Sequence, residues 1–240
     1  MHSNAVSFVT HLVNDFDEIE AFRAANEEKT NLNVTHPGAF AQPHYCLNPA
    51  VCFPCYESFE GKRVKTAGQT LTWVGRVFRY ESGNIKGLDR LWEFSVRELV
   101  FLGDESHVQQ NREAAVDLVQ RLAIEWDLDC SIETATDPFF ATVRAARSFW
   151  QKALDVKSEI RLQIEPDPQG KDRTIAAGSI NLHGAFFGER FDIRSGNDEP
   201  AHSACVGFGL ERWVLALFSQ HGFDPQRWPL ALRDKVFPRD

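Results

Sequence analysis

An α+β domain built on an antiparallel sheet is what this sequence predicts, and three observations carry the prediction. TLTWVGRVFRYE and the run from Arg90 to Leu102 are rich in β-branched and aromatic residues and lie either side of a short glycine-containing loop. SEIRLQIE alternates Ile160, Leu162 and Ile164 with polar residues, as a half-buried strand does. Helical stretches and long crossings separate these strands, a mixture that favours α+β over a regular alternation of single strands and helices. A chain of 240 residues suits one large domain with small additions.

The elements follow in order. Residues 1–45 read as an appendage, in which Asn14 or Asp15 caps a helix running through Ile19, Phe22 and Ala25. NLNVTHPGAFAQPHY is polar, is interrupted by Pro37 and Pro43, and reads as loop. Residues 46–240 form the main domain. Its first strand ends near Glu81, Ser82-Gly83-Asn84 and Gly87 make a flexible loop, and the second strand runs from Arg90 to Leu102. Helices are expected at 105–126, where Val108, Val119, Leu122 and Trp126 recur at helical spacing, and at 139–155. After SEIRLQIE, a strand is expected over 174–183. Gly207-Phe208-Gly209 then opens a helix with Leu210, Trp213, Val214, Leu217 and Phe218 as its apolar stripe. Loops around Asp167-Pro168 and Ser195-Gly196-Asn197 separate the pieces.

Composition excludes several function classes. Apolar residues make up 43% and charged residues 25%, an ordinary globular balance. No run approaches the roughly 20 apolar residues of a membrane span, and the first residues lack the basic and apolar regions of a signal peptide. The net charge of −8 weakens any role in broad nucleic-acid binding. Five cysteines without a signal peptide point to reduced thiols in a cytoplasm.

Chemistry concentrates in three places. Residues two apart share a strand face, so Arg79 joins Glu81, and Arg90, Phe94 and Glu98 line up on the following strand. Such a face is either solvated or the floor of a polar site. As a site it needs a ligand with anionic groups for the arginines and a flat ring for Phe94, demands that a nucleoside triphosphate meets. In HSACVGFGLERW, small residues at a helix start, with Arg212 in the first turn, could admit a phosphate, although a glycine pair also serves close packing. In NPAVCFPCY, Cys52 and Cys55 are three apart, which suits zinc or redox chemistry. Cys205 stands alone before the glycine turn.

FRYESGNIKGLDRLWEFSVREL resembles motif 2 of class II aminoacyl-tRNA synthetases, and GFGLERWVLAL resembles their motif 3. CFPCY, RLWEFSVRELVFLG, DPFF, NLHGAFFG and AHSACVGFGLERW together resemble the small bacterial amino acid:[carrier protein] ligases, relatives of the atypical zinc-containing seryl-tRNA synthetases. The likeness spans roughly residues 46–220. It implies a class II synthetase-like antiparallel sheet flanked by helices. It also implies roles. Arg79 would hold the α-phosphate of ATP, Glu81 the adenine amino group, and Arg90 the β- and γ-phosphates. Phe94 would stack on adenine, with Arg212 on the other face and on the γ-phosphate. Cys52, Glu98 and Cys205 would bind Zn²⁺, whose open position takes the substrate amino group; Cys55 falls at the family's variable place. Mg²⁺ would accompany ATP, yet RTIAAGSINLHG carries no carboxylate, leaving Glu165, Ser179 and Asn181 as the nearest candidates. His183 and His202 read as hydrogen-bonding walls of the site.

The implied reaction activates a small amino acid (glycine, alanine or serine) as its adenylate and passes it to the phosphopantetheine thiol of an acyl or peptidyl carrier protein. Two alternatives stand beside this reading: a true aminoacyl-tRNA synthetase, disfavoured by length and charge, and a non-catalytic paralogue sensing an amino acid or adenylate. The family's homodimer is carried over as an expectation, although motif 1 is not located. Arg227, Arg233, Lys235 and Arg239 in the tail make either a docking surface for an acidic carrier protein or, preferably, a solvated face.

Overall fold

The computed structural model describes residues 6–27, 37–65, 67–80, 87–135 and 157–238. The expected helix at 139–155, the DPFF segment and Glu81 lie outside the described residues.

The centre is a six-stranded sheet, antiparallel throughout, formed by β3 (Gln69–Phe78), β4 (Glu93–Gly103), β5 (Cys130–Thr134), β6 (Lys157–Ile164), β7 (Arg173–Gly184) and β8 (His202–Gly209). Its order is β3-β4-β8-β7-β6-β5. The strand formed by HSACVGFG therefore lies between β4 and β7 rather than opening a helix. Its small residues let two neighbouring strands carry functional side chains close to its backbone. Only Gly209 caps α5 (Leu210–His221), and Arg212 falls in the first turn as expected.

α3 (Glu105–Glu125) and α5 cover one face. Asp104 caps α3 by accepting from His107 N at 2.8 Å, and Val108, Ala115, Val119 and Ala123 form its buried stripe. Val108, Ala115 and Val119 pack with Ile160, Leu162, Ile180, Val206 and Trp213. Each such aliphatic side chain, fully buried, contributes roughly 1.5–3 kcal/mol. In α5 the buried residues are Trp213 and Ala216, whereas Val214, expected in the stripe, is 43% exposed. Glu211 ties this helix to the sheet, since both of its carboxylate oxygens accept from Ser95 N at 2.9 Å.

The other face is covered at one end by α2 (Phe53–Ser58) and α4 (Phe186–Arg190), with Tyr56 stacked on Phe187 at 3.9 Å. This smaller core also contains Cys52, Cys55, Val100, Leu102 and Cys205. Among the described residues, the remainder of the face is left open as a cleft. At the N-terminal side, Asp15 caps α1 (Phe16–Asn26), which buries none of its residues. A two-residue pairing joins β1 (Phe8–Val9) to β2 (Tyr45–Cys46), so Tyr45 is a strand residue rather than loop. A short 3₁₀ turn at Pro37–Ala39 likewise interrupts the expected loop. α6 (Leu230–Val236) closes the described chain.

Candidate active site

The open half of the sheet face is a cleft of about 190 Å³. Its floor is a cross-strand row. Register pairs Glu98 with Gly207, Gly207 with Ser179, and Ser179 with Glu159. Because Gly207 has no side chain, the floor is open between Glu98 and Ser179; a Cβ there would lie 3.9 Å from Glu98 Oε1. Gly178 answers a different need, since a Cβ on it would sit 2.5 Å from the Gly207 carbonyl oxygen.

At one end, termed the closed end, Glu98 lines the cleft with Cys52 and Cys205 buried behind it, the ligand atoms of the three all lying within 4.8 Å of one another. Each arrives from a different element. Cys52 immediately precedes α2, Glu98 is on β4, and Cys205 is on β8 two residues from Glu98's partner, on the same face. Cys52 and Cys205 are fully buried and Glu98 is 6% exposed. Burial pushes the Glu98 carboxyl up, opposed by hydrogen bonds from Cys205 and Cys52 and by the Arg79 charge. The Cys205 thiol is pushed up by its hydrogen bond with Cys52, then by burial and the facing carboxylate. Burial thus holds Glu98 and Cys205 toward their neutral forms beside Cys52, an arrangement that a divalent cation reverses. Two thiols and one carboxylate are a donor set that zinc accepts, and three protein ligands leave a fourth position open. The neighbouring Asn181 adds a polar group: its Oδ1 is buried and has no hydrogen-bond partner among the described residues. The residues present therefore fit a zinc ion.

Cys55 is buried too, but it does not belong to the cluster among the described residues. Burial, aided by Cys52 and Glu98, pushes its thiol up to about 12, which keeps it protonated and inert.

The other end of the cleft carries the cations and the ring. The Arg79 guanidinium lies 5.3 Å from the Phe94 centroid, and its Nε donates to the Pro49 carbonyl at 3.2 Å. Arg212 donates from Nε to the Asp89 carbonyl at 3.0 Å and from a terminal nitrogen to the Ala176 carbonyl at 2.8 Å. Phe94 and Arg212 share a small recess with Leu91 and Gly209. Arg90 is exposed and does not line the cleft.

Of the three Mg²⁺ candidates, Ser179 and Asn181 line the cleft; Glu165, just past the end of β6, is exposed and does not. Glu159, which sequence reasoning missed, does line it, together with Lys157 at 3.6 Å. The alternation of SEIRLQIE already placed Glu159 opposite Ile160, but the register that sets it beside Ser179 is not visible in sequence. His183, read as a wall of the site, approaches Cys205: its Nε2 is 3.7 Å from Sγ. Desolvation pushes this imidazole down to about 3, so it stays neutral near pH 7.

With this geometry in place, comparison with known proteins identifies the fold's lineage. The family model of the tRNA synthetase class II core domain (G, H, P, S and T) matches residues 39–221. The chain belongs to the class II tRNA synthetase core family. Over 189 residues it is 36% identical to amino acid--[acyl-carrier-protein] ligase 2 of Bradyrhizobium diazoefficiens, covering 78% of this chain and 55% of that protein. Over 200 residues it is 30% identical to a type-2 serine--tRNA ligase of Methanopyrus kandleri, covering 81% of this chain and 38% of that protein. The chain therefore spans about half or less of the length of these relatives. Among solved structures, a chain from the complex of A. aeolicus tRNASec with M. kandleri SerRS superposes with a TM-score of 0.78 at 24% identity, covering 99% of this chain and 49% of that one. Seryl-tRNA synthetase from Pyrococcus horikoshii complexed with ATP gives 0.59 at 16%, covering 79% and 42%. The two superpositions bear out the class II fold: an antiparallel sheet flanked by helices. No described helix is long and apolar enough to cross a membrane.

Proposed function

We propose that this chain is a ligase that activates a small amino acid with ATP and transfers it to the phosphopantetheine thiol of a carrier protein. The observation that carries the reading is the polarity of one cleft: a zinc-type donor set at the closed end and a ring with two arginines at the open end.

Cys52, Glu98 and Cys205 would hold the zinc. When bound, zinc supplies an open position that fixes an unprotonated α-amino group. Phe94 provides the surface on which adenine stacks, with Arg212 beside the same recess. Arg79, between ring and cluster, would neutralise the α-phosphate and orient the substrate carboxylate toward it. Glu81 would select the adenine amino group, and Arg90 would reach the outer phosphates; these two roles rest on the motif 2 resemblance. Ser179, Asn181 and Glu159 offer the polar groups facing the Mg²⁺ that ATP brings. The carboxylate oxygen attacks the α-phosphorus, the bond to the β-phosphate breaks, and pyrophosphate leaves. The carrier thiol then attacks the adenylate carbonyl carbon, AMP leaves, and a thioester remains. Neither step uses a protein nucleophile, so rate enhancement comes from positioning and charge stabilisation. The choice of glycine, alanine or serine rests on the family resemblance.

A second reading has a specific observation in its favour. The type-2 serine--tRNA ligases share the same core at about 30% identity, so a tRNA 3′ end is the competing acceptor. The tail gives no help in choosing: Lys235 pairs with Glu125 at 3.2 Å, and Arg239 lies outside the described residues.

The test is exchange of labelled pyrophosphate into ATP with single amino acids, followed by transfer to holo-carrier protein or to tRNA. Exchange with one small amino acid and label on the carrier alone is expected. Label on tRNA alone selects the second reading, and no exchange with any amino acid overturns both.

A further inference from the structure

His183 occupies an irregular place in the sheet. Register pairs Asn181 with Cys205 and Leu182 with Ala204, then jumps to Gly184 with Ser203. His183 is the extra residue of a β-bulge, a device that re-aims a side chain. It is aimed at Cys205, with Nε2 at 3.7 Å from Sγ. Its other nitrogen, Nδ1, faces two hydroxyls, Tyr56 at 3.3 Å and Ser203 at 3.2 Å. Asn181 Nδ2 approaches the same sulfur at 3.5 Å.

We propose that His183 is a positioning residue that donates its Nε2–H to the Cys205 thiolate, with Asn181 as the second donor, so that this sulfur is held in a fixed direction and with reduced electron density. The tautomer is assigned from the partners. A hydroxyl can donate or accept, so the sulfur decides: a metal-bound thiolate presents only lone pairs to Nε2, which therefore carries the proton and leaves Nδ1 to accept from a hydroxyl. A metal-bound thiolate has no proton to give and needs donors. Cys52 is the internal contrast, because none of the described side chains donates a nitrogen-borne hydrogen bond to its sulfur. The two thiolates are thus inequivalent, and the one on β8 is the better oriented. The inference rests on the zinc reading and deepens it: hydrogen bonds to a ligand set its orientation and its donor strength.

The test compares replacements that separate packing from donation. His183 meets Tyr56 and Phe187 edge to face, at 5.9 and 5.0 Å, so His183→Phe keeps an aromatic ring and removes the donor. His183→Gln keeps an N–H near the position of Nε2; His183→Asn keeps one only near Nδ1. Zinc affinity is measured by competition with a chelator. The cobalt-substituted protein reports the sulfur-to-metal charge-transfer band. His183→Phe and His183→Asn should weaken zinc binding by about 10–100-fold and move the band to longer wavelength, while His183→Gln should stay within about 10-fold of wild type with its band in place. If His183→Phe does not fold, the Asn and Gln pair carries the comparison. Unchanged affinity and band in the variants that lack the donor would overturn the proposal. So would equal loss in His183→Gln, which would make the role one of packing. A wild-type protein that takes up neither zinc nor cobalt would overturn the zinc reading itself, before any variant is made.

Discussion

The two ends of the cleft are built on opposite principles. At the closed end, Cys52, Glu98 and Cys205 from three elements are buried at 6% exposure or less, and burial pushes the Glu98 and Cys205 groups up. At the open end, Arg79, Phe94 and Arg212 are only half-buried, and backbone carbonyls accept from both guanidinium groups. The closed end is a fixed frame in which a missing member leaves uncompensated buried groups. The open end is a solvated surface whose contacts are made with the ligand. Removing a side chain should therefore cost far more at the first end than at the second.

The largest effect is expected for Cys205→Ser. A hydroxyl is a poor substitute for a thiolate on zinc, and the remaining two ligands do not form a closed set. Stoichiometric zinc should be lost, and pyrophosphate exchange should fall by about 10²–10³-fold. Cys55→Ser sharpens the comparison within one motif. That thiol is protonated and lies outside the cluster, so metal content by atomic absorption should remain one per chain. Loss of zinc in Cys55→Ser and its retention in Cys205→Ser would exchange the roles assigned to the two cysteines.

Phe94→Ala comes next and acts at the open end. Base–aromatic stacking contributes about 1–3 kcal/mol, so the KM for ATP should rise roughly 5- to 150-fold with zinc content unchanged. Zinc loss in this variant would show that the two ends are mechanically coupled, contrary to the contrast drawn above.

This difference also explains what sequence could reveal. The strands carrying Trp73 to Phe78 and Phe94 to Leu102 were legible because alternation and β-branched content report local structure directly, as was the helix expected at 105–126, although its cap at Asp104 was not foreseen. The arginine and ring end was legible as a face, since residues two apart on one strand need no partner to be placed. Gly207-Phe208-Gly209 does lead into the helix from Leu210, but only Gly209 caps it, and the strand character of His202–Gly209 was not legible. Glycine and small residues mark both a helix start and a central strand packed under a ligand, and only its pairing with β4 and β7 decides between them. The cluster depends on cross-strand register: Cys205 meets Glu98 because Gly207 is Glu98's partner, a fact of pairing that no local pattern encodes. The resemblance supplied that set; spacing did not. Glu159 and the bulge at His183 escaped for the same reason, being consequences of how β6, β7 and β8 align.

The smallest effect should come from a residue that belongs to neither end. Asp104 caps α3, the helix packed on the far face of the sheet, and its carboxylate accepts from His107 N and Ser106 Oγ. These bonds favour the charged form and hold its pKa below the usual carboxylate range. A folded-state pKa lower than the unfolded one means that the cap's contribution is present at neutral pH and is lost as pH falls through the folded value. Asp104→Ala should therefore lower stability by about 1 kcal/mol at pH 7, or roughly 2–4 °C in Tm for a chain of this size. The gap between variant and wild type should close as both are measured at progressively lower pH. Zinc content and the KM for ATP should not move, because α3 supports the sheet without lining the cleft. Thermal unfolding across that pH range checks the first claim. If Asp104→Ala also lost zinc, the closed end would be responding to global stability, and the losses expected for Cys205→Ser would have to be separated from simple unfolding before they could count as ligand effects.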